Sequence, residues 1–192
     1  MSVPETTRKK KRGLIAAVAV IVVAIIIILA FVLMRPAGRT TSTGHGLGDT
    51  PFDFTLPDTN NVMWNLQSHI NNGKPILLEF IYLGAYYCGI FASTLDQLQS
   101  SYGTGIEIVS MAIKLGGAFS DQPTIEGTAQ EKARLGSTWT YLVEVSGTAV
   151  RDAYNVTGVP MCFLLGKDGR IAWEHVGVVD YSTLEDQVEA VL

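Results

Sequence analysis

Cysteine and histidine are scarce in this 192-residue chain, which contains two cysteines and three histidines. Two cysteines are too few for a scaffold held together by disulfides. His175, in the segment AWEHVG, has no second histidine at the spacing of a metal site, so we expect a strand residue there rather than a ligand. The sequence therefore predicts neither a metal site nor a cofactor.

Basic residues are also scarce in the larger part of the chain. Residues 49–192 contain 7 Lys and Arg against 17 Asp and Glu, a net charge of −10. Nucleic acids and anionic lipid headgroups repel a domain of that charge. We therefore expect no nucleic acid among its partners.

Charged residues are absent from the 21 residues Leu14–Met34, and an apolar helix of that length can cross a bilayer. Five consecutive basic residues, 8–12, precede this run, whereas only Arg35 and Arg39 follow it closely. That asymmetry predicts a cytoplasmic N-terminus. A cleaved signal peptide is the alternative, although its apolar core is usually shorter and ends at a small-residue cleavage site.

These features predict four segments in a single-pass protein of the cell membrane. The segments are a cytoplasmic basic tail (1–13), a transmembrane anchor (14–34), a flexible linker rich in Gly, Ser and Thr (35–49), and a domain outside the cytoplasm (50–192). The membrane is thus an expected partner through residues 14–34.

The predicted domain alternates strands with helices. Apolar residues at 52, 54 and 56, the turn PDTNN and a second apolar run at 62–64 predict an N-terminal β-hairpin. Residues 74–82 read as a central strand buried on both faces, and 87–102 as a helix. Similar patterns predict a helical turn at 65–73, a strand at 106–113, a short helix at 148–156 and a hairpin at 161–176. A further helix is predicted with Pro123 in its first turn, after a cap at Ser120 or Asp121. A capping box formed by Ser182 and Glu185 predicts the start of the last helix. This order is typical of an α/β sandwich with a mixed sheet.

Two motifs in this domain resemble those of thioredoxin-fold proteins, nearest to the membrane-anchored thiol–disulfide oxidoreductases of the TlpA and ResA type. GDTPFDFTLPDTNN (48–61) is similar to the family pattern G-x-x-x-P-D-F-x-L-x-D, although Phe52 separates Pro51 from Asp53. YNVTGVPMCFLLGKDGRIAWEHVG (154–177) is similar to Y-x-V-x-G-x-P-x-x-F-L-I-D-x-D-G-x-I. The resemblance implies a thioredoxin-like three-layer sandwich with a mixed central sheet. It also implies that Pro160 is the cis-proline beside the active site.

The chain departs from this family at its catalytic motif, F-W-A-T-W-C-x-x-C. Aligned without a gap, Cys88 takes the second cysteine and Ala85 takes the first, so the position of the nucleophile is vacant. The alternative alignment makes Cys88 the first cysteine and Phe91 the second, but it requires three extra residues before the helix. We favour the ungapped alignment because an insertion at this turn would displace the site.

Glu79 and Cys162 complete the candidate site. Glu79 matches the family's buried acid, which implies a proton pair with Cys88, and the alternative is an acid at the end of the sheet with access to water. Cys162 follows Pro160 by two residues, so both side chains lie on one face of a strand. It is either a second thiol that pairs with Cys88, through a disulfide or a soft metal, or a buried cysteine packed as a small apolar residue.

The resemblance leaves three functions open. The first is a thiol–disulfide oxidoreductase with an incomplete motif, acting on extracytoplasmic proteins that carry thiols or disulfides. The second is a redox-inactive module that binds extended polypeptide beside Pro160, with Tyr82, Tyr86 and Tyr87 as contact residues. The third is a Sco-type copper carrier, which requires C-x-x-x-C, whereas Cys88 is followed by Phe91 and Ala92.

Overall fold

A five-stranded mixed sheet forms the centre of the domain. The computed structural model describes residues 42–70, 72–117 and 121–192. In this part of the chain the strands are β1 (Thr43–Gly44), β2 (Thr50–Pro51), β3 (Thr55–Pro57), β4 (Met63–Asn65), β5 (Ile76–Ile81), β6 (Glu107–Ala112), β7 (Thr140–Val143), β8 (Met161–Leu165) and β9 (Ile171–Val176). The helices are α1 (Leu66–Ile70), α2 (Tyr86–Tyr102), α3 (Ile125–Leu135), α4 (Ala149–Ala153) and α5 (Tyr181–Glu189), and a 3₁₀ turn spans Gly103–Gly105.

The central sheet has the strand order β7-β6-β5-β8-β9. Strands β5, β6 and β7 are parallel, whereas β8 is antiparallel to both β5 and β9. All six residues of β5 are buried, as the apolar run in the sequence predicts for a strand covered on both faces. The predicted N-terminal hairpin is present as the antiparallel pair β3–β4.

Apolar side chains cover both faces of this sheet and give the domain three layers. On one face, Phe80 and Phe163 pack with Tyr154 and with residues of the β3–β4 hairpin and α1. On the other face, Leu77 and Ile81 pack with Phe91, Leu95 and Leu98 of α2 and with Leu184 and Val188 of α5. The alternation of side chains along β5 assigns Glu79 to this second face, together with Leu77 and Ile81.

The sequence signals that define α2 are confirmed. Phe91, Leu95 and Leu98 recur at helical spacing and are fully buried. The helix ends at Gly103, whose φ of 52° lies in a region that glycine adopts without strain, and whose N–H bonds to the carbonyl of Gln99.

Two predicted helix starts are wrong. Helix α3 begins after Pro123, because Thr124 is its N-cap and accepts a hydrogen bond from the Gly127 N–H (3.0 Å). In α5 the N-cap is Asp180, which accepts from the Thr183 N–H (2.9 Å) and so takes the place predicted for Ser182. Aspartate and threonine are favourable N-cap residues, so they can accept hydrogen bonds from the first free amides of a helix just as the predicted cap residues could.

Two strand pairs were not predicted from the sequence. Strand β7 is the edge strand beside β6, and β1 pairs in parallel with β2. Residues 43 and 44 belong to the segment predicted as linker, and further along it the Gly48 N–H bonds to the carbonyl of Ile171 (2.7 Å). The C-terminal end of the predicted linker therefore contacts the domain.

The predicted transmembrane segment, residues 14–34, lies outside the described residues. Within residues 42–70, 72–117 and 121–192, no helix is both long enough and apolar enough to cross a membrane.

Candidate functional site

The turn between β5 and α2 carries the position predicted for the missing nucleophile. Gly84 adopts a φ of 78°, which glycine tolerates, and the chain then enters the helix through Ala85, its N-cap residue. Ala85 has no side-chain acceptor for the free amides of the first turn. A thiol there would gain from the helix dipole and from these amides, but alanine supplies none.

Cys88 is inside the protein. Its side chain is 2% exposed and belongs to the core between α2 and the sheet. Burial, together with the nearby carboxyl of Glu79, raises the pKa of its thiol to about 12. A cysteine in this environment is a thiol rather than a thiolate at neutral pH, so it is a poor nucleophile.

Glu79 lies beneath this helix in the middle of β5, with 1% of its surface exposed. The alternative of an acid at the sheet end with access to water is therefore wrong. Burial raises the pKa of Glu79 to about 8, although a hydrogen bond from the Ser110 hydroxyl opposes the change. The Ser110 oxygen in turn accepts a hydrogen bond from the Trp139 indole N–H (2.8 Å).

Cys162 lies directly opposite Glu79 in the pairing of β5 with β8. It is fully buried, burial raises the pKa of its thiol, and its Sγ lies 3.8 Å from the carbonyl oxygen of His175. Both Cys88 and Cys162 are free thiols. Among the described residues, no group of three or more His, Cys, Asp or Glu side chains could hold a metal ion.

Pro160 follows a cis peptide bond at Val159, as the resemblance predicted. Pro160 itself is buried, and its carbonyl accepts a hydrogen bond from the Gly177 N–H (2.7 Å). Val159, immediately before it, lies on the surface of an adjacent groove.

This groove has a volume of about 930 Å³ and runs along the N-terminus of α2. Ala85, Tyr86 and Tyr87 line it together with residues 155–159, which precede Pro160. Tyr86 and Tyr87 are 75% and 62% exposed, and their rings meet edge to face with centroids 5.4 Å apart. Ala85, where the sequence predicts a missing nucleophile, therefore lines a groove with two exposed aromatic rings.

The charged residues of the groove neutralise one another. Arg151 and Asp152 line it and form an ion pair of 2.5 Å. The same guanidinium also donates to the carbonyls of Lys114 (3.1 Å) and Leu115, which fixes α4 against the loop after β6. The groove thus presents apolar rings, backbone groups and a compensated charge pair.

Several of these residues were not predicted from the sequence. Ser110 bonds to Glu79 and Trp139 bonds to Ser110, each across a separation of about 30 residues in the chain, and no local pattern indicates such contacts. Arg151 belongs to a helix that was predicted, but its place in the groove depends on the path of the loop after β6. Residues 155–159 were signalled by the motif that contains Pro160.

Comparison with known proteins gives structural matches but no sequence match. No family model matches the chain, and no curated protein matches it. The structure is similar to a hypothetical protein of Sinorhizobium meliloti 1021, with a TM-score of 0.66 and 24% identity over 80% of this chain and 87% of that one.

Two further similar structures are of named oxidoreductases. The thioredoxin domain of a thiol–disulfide oxidoreductase from Bacteroides vulgatus has a TM-score of 0.62 and 20% identity over 74% of this chain and 98% of that one. A secreted disulfide oxidoreductase of Mycobacterium tuberculosis has a TM-score of 0.58 and 18% identity over 71% of this chain and 95% of that one. At this level of identity the similarity establishes the fold. The chain has a thioredoxin-like α/β fold with a mixed central sheet.

Proposed function

We propose that this domain binds extended polypeptide in the groove beside Val159 and does not catalyse thiol–disulfide exchange. One observation carries the proposal: the half-buried residue at the start of α2, Ala85, has no thiol, whereas both cysteines are buried thiols. Exchange requires a thiolate that can reach a disulfide sulfur. The groove, in contrast, is open to a ligand.

The exposed rings of Tyr86 and Tyr87 support the binding part of the proposal. Aromatic side chains are frequent anchors in binding surfaces because they bury a large area with few rotatable bonds. Since Arg151 is compensated by Asp152, the groove has no unpaired charge from this pair that would demand a charged ligand. We therefore expect recognition of backbone and apolar side chains.

The binding test uses a fluorescently labelled polypeptide that is kept unfolded by blocking its cysteines with neutral carbamidomethyl groups. We expect anisotropy to show binding to the parent chain. Replacing both Tyr86 and Tyr87 by alanine should weaken it by about tenfold or more, as expected for hot-spot residues. The matched control replaces Val62 and Met63 by alanine, because these residues are equally exposed but lie in the β3–β4 hairpin, outside the groove lining.

Equal losses in the tyrosine and control variants would contradict a site in the groove. A parent chain that reduces a model disulfide at a rate comparable with a dithiol enzyme would contradict the absence of exchange.

A single-thiol oxidoreductase is the second candidate, favoured by the retention of Glu79 beside Cys88. It requires Cys88 to form a mixed disulfide with a substrate. Incubation with a small activated disulfide, followed by mass spectrometry of the native and unfolded chain, distinguishes the two functions. Rapid native modification of Cys88 favours the oxidoreductase.

We also propose that residues 14–34 anchor the chain in the cell membrane with the domain outside the cytoplasm. The apolar run and the basic residues before it support this orientation. Protease added to intact cells should then remove the domain. Cleavage that occurs after lysis but not before it would contradict the orientation.

A further inference from the structure

The carboxyl group of Glu79 is bound through one of its oxygens. Oε2 accepts a hydrogen bond from the Ser110 hydroxyl, whereas Oε1 is buried without a hydrogen-bond partner among the described residues. Burying a polar oxygen without a hydrogen-bond partner destabilises the folded state, and burying a carboxylate charge there destabilises it more. The asymmetry of this carboxyl therefore needs a physical explanation.

Trp139 determines the direction of the hydrogen bond to Oε2. The indole N–H can donate but cannot accept, so the Ser110 oxygen is its acceptor at 2.8 Å. With one lone pair occupied in this way, the Ser110 hydroxyl proton is free to point at Glu79. The two residues thus give Oε2 a donor and leave Oε1 as the oxygen that can carry a proton.

The groups around Glu79 do not neutralise a negative charge. Cys88 on α2 and Cys162 on β8 are thiols whose own pKa values are raised by it. Tyr141 on β7 is buried beside Ser110 and shares a hydrogen bond with Ser137 (3.0 Å). On α3, Glu131 is paired with Arg134 (2.7 Å), and none of the ion pairs in the described part of the chain includes Glu79.

We propose that Ser110 and Trp139 are positioning residues for Glu79: Ser110 donates to one carboxyl oxygen, Trp139 holds the Ser110 oxygen, and the other carboxyl oxygen is left as the place where the core holds an exchangeable proton. The inference goes beyond the proposed polypeptide binding and does not depend on it. The hydrogen bonds from Trp139 to Ser110 and from Ser110 to Glu79 include none of the motif residues Ala85, Cys88 and Pro160. The proposal assigns a role to Ser110 on β6 and to Trp139 in the segment before β7.

The first test measures the ionisation of Glu79 directly in the full chain. Glutamate labelled with ¹³C at the carboxyl carbon gives NMR signals that move as each group loses its proton, and Glu79→Gln identifies the signal of Glu79. We expect a midpoint near pH 8 in the parent. Ser110→Ala should raise it by about one pH unit, because the charged form loses a donor. Trp139→Phe should raise the midpoint by less than Ser110→Ala does.

Two variants control for nonspecific effects of changing the core. Ser110→Thr keeps the hydroxyl and should retain the parent midpoint. Thr128→Ala removes another fully buried hydroxyl, whose hydrogen bond goes to the Thr124 carbonyl (2.8 Å), and should leave the midpoint unchanged. A midpoint in Ser110→Ala equal to that of the parent would overturn the assignment.

A second measurement needs no change at Ser110. The chain has three tryptophans, so Trp64→Phe with Trp173→Phe leaves Trp139 as the one fluorophore of this type. The emission of Trp139 should change as the pH is raised through the midpoint of the Glu79 titration. The substitution Glu79→Gln should abolish this change. Emission that stays constant through the Glu79 titration would overturn the proposal even if Ser110→Ala does not fold.

Discussion

Ala85 is the N-cap of helix α2, and Cys88, three residues later, is buried in the first turn of the same helix. The position with free helix amides therefore has no sulfur, and the sulfur has no access to solvent. This relationship explains why a domain with a thioredoxin-like fold is not expected to act as a dithiol enzyme.

The substitution Ala85→Cys should create a dithiol oxidoreductase. The new thiol would lie at the helix N-terminus, where cysteine pKa values fall to about 3.5–7.5, and one turn from Cys88. The reduced variant should then reduce a model disulfide at least about a hundredfold faster than the parent, because a low pKa places most of the thiol in its reactive form.

The double variant Ala85→Cys with Cys88→Ser tests the role of the second thiol. It should form a stable mixed disulfide with the substrate but not turn over. Activity of the parent equal to that of Ala85→Cys would show that position 85 is not the nucleophile position.

Cys88 should react slowly with a small alkylating reagent in the native domain. Its thiol is 2% exposed and its pKa is raised to about 12, so both contact with the reagent and the thiolate fraction are small. Mass spectrometry should show modification of Cys88 and Cys162 after unfolding in urea. Rapid labelling of native Cys88 would contradict the burial and support the alignment in which it is the first cysteine.

The stability of the domain should fall as the pH rises from about 4.5 to about 8 because of Glu79. In the unfolded chain this acid loses its proton near its ordinary pKa of 4.5, whereas in the folded domain it keeps the proton up to about pH 8. Between these values the folded state binds more protons, so the free energy of unfolding decreases by up to about 1.4 kcal/mol per pH unit and levels off above the folded pKa.

Urea unfolding of the parent and of Glu79→Gln over this pH range isolates the effect. Burial also raises the pKa of Glu144, which contributes a decrease of the same sign to both proteins. The difference between the two curves should therefore report Glu79. Parallel curves would show that Glu79 has the same pKa in both states.

Asp180→Ala should destabilise the domain by about 1 kcal/mol, the usual effect of removing an N-cap. Its carboxyl accepts hydrogen bonds from the Thr183 N–H and from the hydroxyls of Ser182 and Thr183. Ser182→Ala is the matched comparison, since Ser182 donates to the cap but does not cap the helix itself. Urea unfolding should show a smaller loss for Ser182→Ala, and the reverse order would restore the predicted capping box.

Local sequence patterns were sufficient to predict several elements of the fold. The apolar run of β5, the helical spacing of Phe91, Leu95 and Leu98, and the hairpin β8–β9 are visible without knowledge of the rest of the chain. Their periodicity follows from the geometry of one helix or one strand. The lone cysteine near the start of α2 and the acidic charge of residues 49–192 are likewise properties of the sequence.

Other features depend on contacts between residues that are distant in the chain. Strand β7 exists as a strand because Thr140–Val143 pairs with β6, and its sequence alone did not indicate an edge strand. The choice of Asp180 and Thr124 as caps depended on where the chain enters each helix. The place of Leu115 in the groove lining depended on Arg151 bonding to the loop after β6.

Glu79 illustrates both the part of the site that local sequence predicts and the part that depends on long-range packing. Its position within an apolar strand was evident from the sequence. Its hydrogen-bond network was not, because Ser110 reaches Glu79 through the register of β5 with β6, and Trp139 reaches Ser110 through the path of the chain into β7. A local pattern fixes which face of a strand a side chain occupies, but only the packing of separate strands fixes which donor meets which oxygen.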